Sequence, residues 1–125
     1  MPEEFESEEY MDFEKLKSKV KHFVRERDWE KYHTPKDIAI DIAVEAGELL
    51  EIFQWMKENE TDKIKENEQL MARIKSEVAD VISACLDMAN ILDLDIADIV
   101  LAKLKENERK YPVDKFKGSR RKYNE

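Results

Sequence analysis

DIAVEAGELLEIFQW, residues 41–55, places Ile42, Leu49, Ile52 and Phe53 on one face of a helix, and places Glu45 where that face should be aliphatic. Glu48 follows three positions later. A second stretch, SEVADVISA (76–84), repeats the device with Glu77 and Asp80, beside a seam of Ile74, Val78, Val81, Cys85, Met88 and Leu92. Steps of four and three in that seam predict near-parallel helix packing. Working outward, His33-Thr34-Pro35 opens the helix of the first stretch. Thr34 is its N-cap, Pro35 its first helical residue, and Asp37 lies three after the cap. That helix runs to about Lys57, with Ile38 and Met56 also on its inner side.

Before it, Phe13, Leu16, Val20, Phe23 and Val24 predict a helix from about Tyr10 to Trp29. After it, a polar stretch from Glu58 to Glu68 leads into the seam helix, which begins from Thr61 onward. Leu94-Asp95 breaks the chain, Asp95 caps a fourth helix to about Lys110, and Tyr111-Pro112 ends that helix. The expected architecture is all-α, a four-helix bundle in one domain spanning 1–125, with 1–9 frayed and 112–125 a basic tail.

Composition agrees. The 125 residues include only two Gly and three Pro, too few for a turn-rich sandwich or barrel. One cysteine, Cys85, excludes an internal disulfide and fits a reducing, cytoplasmic setting. No apolar run approaches the roughly 20 residues of a membrane span. The net charge of −8 divides unevenly: residues 103–125 carry +5 and residues 1–102 carry −13. An acidic body disfavours nucleic acid, and a basic tail suits phosphate groups met beside metal-binding carboxylates. The competing reading of that tail is dipole complementation by C-terminal lysines.

Acids three apart project from neighbouring positions on one helix face, within reach of a shared ion. Carboxylates turned toward a core repel one another and lose hydration, so they need a cation or shifted pKa values. Glu45, Glu48, Glu77 and Asp80 thus read as a hard oxygen site for Mg²⁺, or alternatively Mn²⁺. The competing reading is a solvated acidic face. Gly47, costing about 1 kcal/mol relative to Ala in a helix, suggests a close helix or ligand approach. Asp41 and Asp87 lie on or near the same faces as outer groups. Glu30-x-x-His33 matches half of a di-iron motif but lies at a helix end without a second copy. Two His and one Cys are too few for a zinc site, and two Gly too few for a phosphate loop.

Lys103, Asn107 and Lys110 continue the line of Ile96 and Val100, as if an apolar face opened into a polar pocket with Tyr111 beside it. Trp29 and Trp55 read as core or interface residues, or as a wall on which a base stacks.

With these motifs placed, the chain resembles the MazG-like, all-α nucleoside triphosphate pyrophosphohydrolases, whose signature is Glu-x-x-Glu followed by Glu-x-x-Asp. Here 28 residues (49–76) separate the two pairs. RERDWEKYHTPKDIAIDIAVEAGELLEIFQW and KENERKYPVDKFKGS resemble the two ends of the small dCTP pyrophosphatase branch, so the similarity spans about residues 13–123. The resemblance implies an oligomer, a homodimer or a tetramer of dimers. It also implies Mg²⁺-dependent conversion of a (deoxy)nucleoside triphosphate to monophosphate and pyrophosphate, in nucleotide-pool housecleaning. Trp29 and Trp55 would line the base pocket, and Lys103, Asn107 and Tyr111 would contact the nucleotide. Vertebrate members carry His at Val20 and Tyr at Ala84, so a cytosine preference is not implied. In such a reaction one carboxylate, Glu48 by our assignment, activates water, while Lys103, Lys110 and the tail offset phosphate charge. The rival expectations are a non-enzymatic helical interaction module and a phosphoribosyl-ATP pyrophosphohydrolase.

Overall fold

Side-chain caps decide where the helices begin. In the computed structural model, which describes residues 10–122, the first helix, α1, is Phe13–Glu26. Asp12 caps it, accepting a 2.8 Å bond from the Lys15 amide. A 3₁₀ turn, Glu30–Tyr32, leads to α2, Pro35–Phe53. Thr34 caps α2 through the Asp37 amide at 3.2 Å, with Pro35 at the first position, as the sequence predicts. The polar connector contains a 3₁₀ segment, Glu58–Glu66. Asn67 then caps α3, Glu68–Leu92, and Asp95 caps α4, Ile96–Lys110. A short α5, Val113–Phe116, follows Pro112. The expected fraying of 1–9 lies outside the described residues.

The fold class is all-α, and no strand occurs among the described residues. The chain divides into two compact units between Leu94 and Asp95. In the first, α3 is central, with α2 and α1 both packed against it. Two contacts from α1 tie it down: Lys17 Nζ donates to the Leu94 carbonyl at 2.8 Å, and Asn90 Nδ2 donates to the Lys17 carbonyl at 2.9 Å. The second unit holds α4 and α5, where the Tyr111 ring meets Phe116 edge-on at 5.0 Å and Arg121 lies over Phe116. No described helix is long and apolar enough to cross a membrane.

The core is narrower than the apolar periodicity suggests. Val24, Ile38, Ile52, Leu86 and Ala89 are buried. Phe13, Leu16 and Phe23 of α1 are exposed, and so are Val78 and Leu92 of the predicted seam. Because α3 is covered from two sides, its most buried residues lie between the two contact stripes rather than along one seam. Neither Trp is in the core. With so few glycines, the chain leaves α1 and α3 through left-handed aspartates, Asp28 (φ 53°) and Asp93 (φ 54°), a conformation that Asp tolerates better than most residues.

Gly47 corrects a further expectation. A Cβ built there meets nothing within 4 Å, so no close approach within the chain requires it. Gly47→Ala should therefore raise stability by about 1 kcal/mol, measured by urea unfolding. A loss instead would mean that something outside this chain packs against that turn.

Candidate active site

The α2–α3 contact brings the two acid pairs together. Glu45 and Glu48 descend from α2 and Glu77 comes from α3, and one carboxylate oxygen from each lies within 4.8 Å of the others. His33, just before α2, meets Asp87 near the end of α3, so the two helices run antiparallel. Asp80, the fourth predicted ligand, is outside this tight group. Its charge still reaches both Glu45 and Glu77.

Burial and charge work in the same direction. Glu45 and Glu77 are half-buried, and the Oε2 atom of each is shut away from solvent with no donor to accept from. Glu48, more exposed, lies beside both in the same cluster, so like charges are crowded there. The Glu45 pKa is accordingly raised, first by burial, then by Glu48, Asp80 and Glu77. Glu77 is raised by burial and by the charges of Glu48 and Asp80, partly offset by Arg73 one turn away. Buried oxygens without donors, converging from two helices, match what a hard divalent cation requires. The acids present fit such an ion.

The remaining predicted residues are distributed between the two units. Trp29 meets Phe23 edge-on at 5.9 Å, and Trp55, just past α2, is 87% exposed. In the second unit, Lys110 and Lys103 bracket Glu106 at 2.9 and 3.4 Å, holding its carboxyl below the usual range. Asn107 is half-buried, and its carbonyl accepts from the Tyr111 amide at 2.8 Å.

Sequence reasoning missed one pair. His33 Nδ1 and Asp87 Oδ2 lie 2.6 Å apart, with Asp87 buried. The signal available was an aspartate inside the apolar run CLDMA (85–89). The di-iron match that drew attention to His33 pointed to the wrong partner.

Comparison with known proteins gives consistent results. The MazG-like family model matches residues 40–125. dCTP pyrophosphatase 1 of Bos taurus is 34% identical over 101 residues, covering 81% of this chain and 60% of the relative. The Homo sapiens protein of the same name is 34% identical over 103 residues, covering 82% and 61%. The chain thus spans about six tenths of the length of these relatives. A crystal structure of a pyrophosphatase from Archaeoglobus fulgidus matches with a TM-score of 0.75 at 35% identity, covering 83% of this chain and 95% of that one.

The raised carboxylates have a consequence for stability. The metal-free folded state holds protons more tightly than the unfolded chain, so stability falls as pH rises from the unfolded value of about 4.5 through the raised folded values. Glu77→Gln should therefore raise the Tm of the protein in chelator, more at pH 8 than at pH 4. Equal shifts at both pH values would contradict the charge cluster.

Proposed function

Since this chain belongs to the MazG-like family, we propose that it hydrolyses a nucleoside triphosphate to the monophosphate and pyrophosphate. The observation that carries the reading is the pair of buried, donorless oxygens on Glu45 and Glu77 beside Glu48. Glu45, Glu48, Glu77 and Asp80 would hold Mg²⁺, or Mn²⁺ in its place. Such an ion, when bound, offsets triphosphate charge and polarises the attacked phosphorus.

Glu48 is the most accessible of the three clustered acids, and its carboxylate is the acceptor for a proton from water. The water oxygen bonds to the α-phosphorus, the α–β bridging P–O bond breaks, and pyrophosphate departs with that electron pair. Glu45 and Glu77, fixed on packed helices, keep Glu48 and its water from drifting. Lys103 and Lys110, both paired with Glu106, would meet phosphate oxygens. Asn107 and Tyr111 would contact the nucleotide, and Trp29 and Trp55 offer ring faces to the base. The relatives' names make dCTP the first substrate to try.

Assembly belongs to the same proposal. Ile40, Val44 and Leu50 leave a half-exposed apolar stripe on α2, which supports a homodimer or a tetramer of dimers. The acidic body supports a cytoplasmic enzyme of the nucleotide pool without nucleic-acid binding.

Product analysis tests the reading. With Mg²⁺, the protein should release pyrophosphate and monophosphate, whereas diphosphate and phosphate would point to a different cleavage. Glu45→Gln and Asp80→Asn should each reduce kcat by at least about a hundredfold while far-ultraviolet dichroism stays helical. Lys110→Ala should weaken all triphosphates alike, whereas Asn107→Ala should change their ranking in kcat/KM. Light scattering at micromolar concentration should give at least twice the chain mass.

A further inference from the structure

A second polar feature lies toward the other end of α3. A cleft of about 330 Å³ opens between α1 and the last turns of α3, with Val24 and Ile91 as apolar walls. Asp87 lines it, nine-tenths buried, and His33 Nδ1 lies 2.6 Å from its Oδ2. Arg25, on the same cleft, is occupied by Glu30 at 2.9 Å. His33 directly precedes the Thr34 cap, and the bond from the Asp37 amide to Thr34 joins it to the first turn of α2.

Apart from the acids themselves, no other hydrogen bond or ion pair joins α2 or its lead-in to α3 among the described residues. The rest of what holds these two helices is apolar burial, Ile38 and Ile52 included. Apolar burial is non-directional, so it keeps helices together without fixing how far one is turned or slid on the other. A hydrogen bond has a length and an angle, and constrains both. The acids meanwhile push apart. Turning α2 by about 20°, with side chains roughly 5 Å from its axis, moves a carboxylate by about 2 Å. A hard cation such as Mg²⁺ holds its ligands to within about 0.2 Å. The register of α2 on α3 therefore decides whether the cluster closes on an ion.

We propose that His33 and Asp87 are positioning residues for the acidic cluster: their bond sets the turn and level of α2 on α3 at which Glu45, Glu48 and Glu77 converge. The inference rests on the reading of that cluster as a cation site. Neither residue is a ligand in it. Asp87 stands ten residues beyond Glu77, about 15 Å along α3, so the pair acts through the helices that carry the acids.

Calorimetry with Mn²⁺ alone, on folded protein without nucleotide, tests the assignment. The double variant His33→Phe/Asp87→Leu removes the bond and leaves no buried polar group unpaired. Its Tm in chelator should stay close to that of wild type, yet its Mn²⁺ affinity should fall about tenfold. The Mg²⁺ concentration that half-saturates pyrophosphate release should rise by the same factor. Asp87→Asn keeps an acceptor for the imidazole N–H and should hold affinity within about twofold of wild type. Val24→Ala, which opens a cavity under α1, should lower Tm and leave affinity alone. Should the double variant not fold, His33→Ala, whose lost side chain opens onto the cleft, should show the tenfold loss instead. Wild-type affinity in a folded variant without the bond, a tenfold loss in Asp87→Asn, or a tenfold loss in Val24→Ala would each overturn the positioning role. If wild type itself binds no Mn²⁺, the cation reading of the cluster falls and takes this inference with it. If wild type binds Mn²⁺ and loss of the bond changes nothing, the positioning role alone falls.

Discussion

Carboxylates from two packed helices repel one another, and the α2–α3 contact has to hold them together in spite of it. Ile38 and Ile52 on α2, with Leu86 and Ala89 on α3, supply the apolar burial that opposes the repulsion. The arrangement costs stability at neutral pH, since burial and mutual charge favour protonated acids. A bundle built only for stability would put aliphatic residues there. The acids mark a place where local stability is given up, a pattern common at functional sites.

The two polar features on α3 differ in how their charges are treated. At the acidic cluster like charges are crowded and lack donors, so the site attracts positive charge. At the cleft, Asp87 has its histidine and Arg25 its glutamate, so those charges are paired. One helix carries both, two turns apart.

Much of this was legible in the sequence where the signal is local. Thr34-Pro35 and Asp95 announced their helices because a cap acts within four residues. The Glu-x-x-Glu and Glu-x-x-Asp pairs announced a shared face for the same reason, and three of the four acids meet in space. Signals that depend on a distant partner were not legible. His33 and Asp87 are 54 positions apart, and neither has a local feature naming the other. The exposure of Phe13 and Phe23 was hidden likewise, because periodicity shows that a face is apolar without showing what covers it. Gly47 suggested close packing by its rarity, and within the chain its surroundings are open.

The His33–Asp87 bond and the acidic cluster each require a fixed phase of α3 against α2 and its lead-in, which gives different parts of the chain unequal tolerance for changes in length. One residue inserted between Asp80 and Asp87 would turn all that follows by about 100° and advance it by about 1.5 Å, so the bond and the cluster could not both survive. The connector 54–67 carries no such phase. Its residues are largely exposed, and adding to it costs only a slowly growing closure entropy. Growth of the molecule, whether by evolution or by engineering, has its natural entry point at that connector, while the helical interval between the two aspartates is locked in length.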